Sequence, residues 1–295
     1  MKNVKAKTNE QIAMQVSANS IAVNLMLSIF KLIAGLMASS GAMISDAIHS
    51  ASDVFSTIIV IIGVKISGKA SDEDHPYGHD RFECVASIIL AILLGVTGVG
   101  IGLTGVQKLT AGHYDTLAVP GVLALAAAVI SIVVKEIMYW YTRNAAKKIN
   151  SGALMADAWH HRSDALSSVG SFVGIFGARM GFPMLDPLAS VVICLFVVKA
   201  AVDIFRDAIS KMTDKSCDQE TVNEMHDCIM NIQGVEDIDL LKTRSFGSKY
   251  YVDIEIKADG DKKLWEAHAI AENVHHVIEQ QFPLVKHCMV HVNPA

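Results

Sequence analysis

The chain is short of the features that mark soluble, secreted and nucleic-acid-binding proteins. Only 19% of its residues are charged, the net charge is −5 and no block of Lys or Arg is present. This argues against a nucleic-acid partner, because neutralising phosphates requires a basic face. The five cysteines, Cys84, Cys194, Cys217, Cys228 and Cys288, are scattered with no C-x-x-C pair, which argues against a disulfide framework and against a thiolate metal knuckle. Residues Met1 to Gln11 are polar and lysine-bearing and lack a signal-peptide cleavage pattern, so this end is expected to stay in the cytoplasm. The H-E-x-x-H signature of one class of zinc protease is also missing.

What is abundant is apolar sequence. A hydrophobic content of 52% and a mean hydropathy of +0.37 point to a membrane protein. Windows of about 20 residues, the length needed to cross a bilayer, predict six membrane helices over 13–37, 41–66, 84–108, 117–142, 153–178 and 184–208. Lys31, Lys135 and Glu136 lie inside or near the ends of these spans and are expected to snorkel or to face a cavity. With both termini inside, one side collects Lys2, Lys5, Lys7, Lys65, Lys69, Arg81, Arg143, Lys147 and Lys148, against Lys108 and Arg179 on the other. The positive-inside rule therefore favours cytoplasmic termini.

Composition changes after about residue 210, dividing the chain into 1–210 and 211–295. The second part predicts a helix at 218–232, strands at 235–244 and 249–257, a helix at 262–281 and a strand at 286–292. This α-β-β-α-β order suits a two-layer α+β domain with helices on one face of a sheet, and Tyr250 to Ile256 alternate as a half-buried strand does. Its 85 residues make a small core, which association with a second copy would support.

One stretch occurs twice. Asp46 to Asp53 and Asp157 to Asp164 both read D-A-x-H-x-x-S-D. On a helix the Asp, His and Asp at i, i+3 and i+7 share a face, so two helices can oppose two carboxylate-imidazole stripes. Burying a charge at membrane depth costs on the order of 3 kcal/mol even on the gentler insertion scale, which makes two matching sets hard to assign to packing. His49 and Asp53 with His160 and Asp164 would supply two nitrogen and two oxygen ligands, the number that a tetrahedral zinc site takes. Asp46 and Asp157, about one turn away, are candidates for an outer shell that orients imidazoles or attracts cations. His161 points about 100° from His160 and is read as packing or a cavity wall. The stripes suit either a divalent cation or a proton relay. The two roles coincide if proton and metal compete for His49 and His160, since only neutral imidazole is a ligand.

Two further sets of candidates stand outside the spans. The connection from Ser71 to Asp80 holds Asp72, His75 and His79, with Pro76 and Gly78 shaping a turn. It is either a second, regulatory metal site or a solvated acidic loop. In the C-terminal part His268, His275, His276, His287 and His291 accompany Asp239 and Glu255 without a tight motif.

On the second-helix motif (Ser45 to Asp53), the loop Asp74-His75-Pro76-Tyr77-Gly78-His79 and the fifth-helix motif (Asp157 to Asp164), essentially the whole chain resembles the cation diffusion facilitators. The resemblance implies a proton-coupled divalent-metal exporter with six membrane helices and a cytoplasmic ferredoxin-like domain. It implies a homodimer working by alternating access, with a transport site at His49, Asp53, His160 and Asp164. A loop site at Asp72, His75 and His79 and a cytoplasmic site at Asp239, Glu255, His268 and His291 are implied as well. Acidic residues at 239 and 255 and Asn293 depart from the bacterial pattern, which implies a weaker, differently selective or absent cytoplasmic site. The paired H-x-x-x-D resembles the zinc-preferring branch, in line with the affinity of imidazole for zinc.

The expected protein is thus a non-enzymatic exporter in a bilayer, the inner membrane of a prokaryotic cell. It carries Zn2+, or Cd2+, Co2+, Fe2+ or Mn2+, with H+ as the coupling ion. A manganese or iron exporter on the same scaffold, and a membrane-anchored metal sensor that does not transport, are the alternatives.

Overall fold

The structure is a computed structural model, and it describes residues 8–37, 41–111, 122–179 and 184–295. Lys2, Lys5 and Lys7, and the start of the fourth span at 117–121, lie outside the described residues. So do the side chains of Ser45, Asp46, His49 and Arg179, although their backbone is helical.

Six long helices come first: α1 (Asn9–Met37), α2 (Gly41–Ser67), α3 (Phe82–Ala111), α4 (Val122–Lys148), α5 (Gly152–Arg179) and α6 (Leu185–Met212). Most ends fall within a few residues of the apolar spans. α4 is the exception, running six residues beyond the expected 142 to Lys148. Its last turns are amphipathic, with Arg143 stacked 5.1 Å from the Trp140 ring and Ala146 buried, so packing carries the helix past the point where hydropathy fails. Among the described residues α1, α3 and α6 have stretches long and apolar enough to cross a membrane. α2, α4 and α5, which carry Asp53, Lys135, His160 and Asp164, do not.

The chain divides into two compact units, Met1–Ala208 and Ile209–Ala295. The first is inverted relative to a soluble protein. Large apolar side chains face outward, such as Met26 at 63% and Leu195 at 67% exposure, while Ser17, Asn24, Lys31, Asp53, Thr57, Lys135, Asp157, His161 and Asp164 are buried. That distribution minimises free energy only where lipid replaces water outside. Close packing depends on small residues, and a Cβ at Gly102 would lie 2.5 Å from Cys194 Sγ on α6, so glycine there lets α3 and α6 approach.

The second unit has the ordinary arrangement, apolar inside. It comprises α7 (Gln219–Met230), β1 (Asp237–Phe246), β2 (Lys249–Ala258), α8 (Leu264–Gln281) and β3 (Val285–Pro294). The sheet order is β1-β2-β3, with β1 antiparallel to β2 and β3 parallel to it. A parallel neighbour requires a crossover, which α8 supplies. This is the ferredoxin-like α+β arrangement without a strand ahead of α7. Val252, Ile254 and Ile256 alternate into a core with Met225, Ile229, Val274 and Ile278, as the strand pattern predicts. α7 starts at Asp218, whose carboxylate accepts from the Thr221 backbone N–H at 2.9 Å.

Candidate metal sites

The second copy of the repeated motif, on α5, and the end of the first, on α2, converge. Ligand atoms of Asp53, His160 and Asp164 all lie within 4.8 Å of one another. Asp53 is 3% exposed and Asp164 9%, and His160 Nε2 stands 3.4 Å from Asp53 Oδ1. The side chain of His49, the fourth expected ligand, lies outside the described residues.

Around this cluster the helices are clamped together. Thr57, one turn beyond Asp53 on α2, donates to Asp157 Oδ1 at 3.1 Å, tying α2 to α5. His161 is fully buried with Nε2 3.6 Å from Asp157 Oδ2. α4 and α5 are joined by Glu136 to Arg162 at 3.3 Å, and the Arg162 guanidinium lies 4.4 Å from the Tyr139 ring centroid. Asp157 therefore acts on the helix interface, and Asp46, its counterpart, has a side chain outside the described residues.

The residue that sequence reasoning missed is Lys135. Its ammonium donates to Asp53 Oδ2 at 2.5 Å and to Asp164 Oδ2 at 2.9 Å, and the residue is 2% exposed. Buried at this depth, it does not snorkel. It braces three helices through both carboxylates of the cluster. Lys31, another lysine within a span, donates to Ser50 Oγ at 2.9 Å. A lysine adjoining a glutamate deep in an apolar run was the signal available, but nothing in it named the partners.

Asp72, His75 and His79 also come together within the same 4.8 Å limit. This connection is ordered by its own hydrogen bonds. The His75 backbone N–H donates to Asp72 Oδ1 at 2.8 Å, Gly78 N–H donates to His75 O at 2.9 Å, and Gly78 sits at φ +93°, where a side chain would be strained. His79 Nδ1 donates to the Ala70 carbonyl at 3.1 Å, so its Nε2 faces Asp72 Oδ2 at 3.3 Å. A backbone acceptor that fixes one imidazole nitrogen and presents the other is how ligating histidines are oriented. The same His75 N–H holds the Asp72 carboxyl below the usual carboxylate range.

In the second unit the four expected residues do not gather as a group of three or more among the described residues. Asp239 is engaged by Lys257 Nζ at 2.7 Å, which with Asn293 holds its carboxyl low. Asn293 Nδ2 donates to Asp239 at 3.0 Å and lies 3.4 Å from Glu255 Oε2. His268 and His291 line a cavity of about 500 Å3 that Asn293 also borders. Asparagine at 293 thus spends its amide on the two carboxylates, where an acidic residue would repel them. Burial pushes the Cys288 thiol up to about 12, which removes it as a thiolate ligand near neutral pH.

Comparison with known proteins agrees over the whole length. Residues 17–213 match the family model of the cation efflux transmembrane domain, and residues 217–295 match that of the cation efflux protein cytoplasmic domain. The manganese efflux system protein MneP of Bacillus subtilis is 33% identical, covering 98% of each chain. Metal tolerance protein C1 of Arabidopsis thaliana is 32% identical over 91% of this chain, which spans 60% of the plant protein. Magnetosome protein MamB of Magnetospira sp. is 30% identical over 92% of each. A solved MamM C-terminal domain is 22% identical with a TM-score of 0.26, covering 26% of this chain and all of that domain. The chain belongs to the cation efflux, or cation diffusion facilitator, family: an integral membrane transporter of divalent metal ions, not an enzyme, with the family's cytoplasmic domain at its C-terminal end.

Proposed function

We propose that the protein exports Zn2+ from the cytoplasm in exchange for protons by alternating access, using Asp53, His160, Asp164 and His49 as the transport site. The observation that carries this reading is the buried meeting of two carboxylates and an imidazole from α2 and α5 inside a bundle whose outer face is apolar. Such groups are costly there unless they handle charge. Imidazole ligands favour zinc over manganese, and an imidazole that loses its proton to accept a metal links the two ions thermodynamically. Cadmium, cobalt and iron are further candidate cargo on the same donor set.

A manganese exporter is the second reading, favoured by the name and 33% identity of MneP and by the two carboxylates of the cluster. The Asp72, His75 and His79 loop is proposed as a separate, solvent-facing regulatory site. For the C-terminal unit we propose dimerisation, with Asp239, Glu255, His268 and His291 as a weaker metal-responsive set. The basic residues Lys65, Lys69, Arg81, Lys147 and Lys148 support cytoplasmic termini, and the bacterial relatives support a prokaryotic cell membrane.

The test is metal uptake into proteoliposomes under an imposed pH gradient, comparing zinc, manganese, iron and cadmium, with Asp53→Ala and Asp164→Ala. Zinc movement that dissipates the gradient and stops in both variants supports the reading. Manganese movement in preference to zinc moves the assignment to the second reading. Metal that binds but never crosses defeats transport and leaves the sensor.

A further inference from the structure

The transport-site reading leaves Lys135 unassigned, and the following rests on that reading. Lys135 places one ammonium against one oxygen of each carboxylate that would hold a divalent ion, 2.5 Å from Asp53 Oδ2 and 2.9 Å from Asp164 Oδ2. A zinc ion takes carboxylate oxygens at about 2.0–2.2 Å. An ion bound through these two oxygens would therefore crowd and repel the ammonium held on them. Metal and Lys135 cannot share these two oxygens. Without either cation, two buried carboxylates would face each other with only the His160 imidazole beside them, which is destabilising.

We propose that Lys135 is a tethered competitor of the cargo: the metal enters by displacing its ammonium from Asp53 and Asp164, and the ammonium returning to the pair expels the metal. The side chain moves as a charged group, and no change in its protonation is required. This weakens metal affinity at the site and hastens release. A carrier needs both, because a site that binds too tightly does not turn over.

The surroundings allow the exchange. Glu136, next in sequence, is held by Arg162 and by the Trp140 indole N–H, so it does not draw Lys135 away from the cluster. Asn19 on α1 donates to the Tyr141 hydroxyl on α4 at 2.8 Å, and Met26 shares a groove with Val134. α1 and α4 therefore run antiparallel, with Asn24 and Lys135 at similar depth. Asn24 is fully buried and neither of its amide atoms has a hydrogen-bond partner. Its carbonyl would give the displaced ammonium a neutral acceptor.

The test uses the full-length protein and the variants Lys135→Gln, Lys135→Met and Lys135→Arg, with zinc and manganese ions as probes. Calorimetric titration should show Lys135→Gln and Lys135→Met binding metal roughly tenfold more tightly, a factor equivalent to about 1.4 kcal/mol, with Lys135→Arg near wild type. In proteoliposomes KM and turnover should fall together in the neutral variants, whereas a purely bracing lysine would weaken binding when removed. Unchanged or weaker affinity in a folded Lys135→Gln or Lys135→Met protein overturns the proposal. In wild type, which needs no folding rescue, the Lys135 15Nζ resonance, assigned by its loss in Lys135→Arg, should shift on metal saturation. A resonance that stays in place overturns the proposal by itself. If Asp53→Ala and Asp164→Ala retain metal binding, the transport-site reading fails. If they lose it while the neutral Lys135 variants bind as wild type, only the competition fails.

Discussion

Asp53, His160 and Asp164 meet between helices with apolar outer faces, whereas Asp72, His75 and His79 meet in a connection where Asp72 and His75 are open to water. Both clusters combine carboxylate and imidazole, yet they balance charge by different means. Within the bundle water is scarce and a second charged side chain, Lys135, answers the carboxylates. In the connection solvent screens the charge, and backbone N–H and C=O groups of His75 and Ala70 set the geometry. Removing a partner from the first leaves a buried charge exposed to a low dielectric. In the second, water replaces what is lost.

The contrast predicts graded effects. The largest is expected from Asp157→Asn, which removes the charge that Thr57 and His161 surround beside the proposed transport cluster. Loss of an outer-shell partner costs roughly 10–100-fold in metal affinity, and zinc titration of the variant should fall in that range. An affinity equal to wild type would mean that Asp157 serves helix packing alone. A smaller effect is expected from His75→Ala, at a side chain open to water. Transport should change by about twofold, as exposed substitutions worth near 0.5 kcal/mol do, while one bound metal per chain disappears from the stoichiometry. Transport lost as completely as in Asp164→Ala would erase the distinction between the clusters.

The smallest effect concerns pH. Because the folded Asp72 carboxyl lies below its ordinary value, held there first by the His75 backbone N–H, its contribution to the turn is fully present above the unfolded Asp value of about 3.9. It is lost as pH falls through the lower folded value. Hydrogen exchange at the His75 amide should stay slow at pH 5 in wild type and be faster in Asp72→Asn at the same pH. Equal exchange in the two proteins would remove the carboxylate from the account of the turn.

How much of this was legible depends on the distance over which each signal acts. The six apolar spans and the α-β-β-α-β order are local patterns, and their elements appear in the structure with small shifts at the ends. The fourth helix was cut short because hydropathy stops at Trp140, while Arg143 and Ala146 continue the helix through packing. The loop residues were recognisable because a three- and four-residue spacing inside one turn already limits where they can go. In the C-terminal unit the scattered histidines gave no such limit, and the pairing of Asp239 with Lys257 and Asn293 arises across strands whose register no single strand encodes.

The repeated D-A-x-H-x-x-S-D stripes, by themselves, determined that carboxylate and imidazole would line faces of two membrane helices, because helical periodicity fixes which residues share a face. They could not determine what answers those charges. That depended on the rotation of α4 against α2 and α5, set by contacts such as Glu136 with Arg162 and Arg162 over Tyr139. Only in that arrangement does Lys135 reach both Asp53 and Asp164, since an ion pair between residues 82 and 29 positions apart is a property of packed helices and not of any one of them.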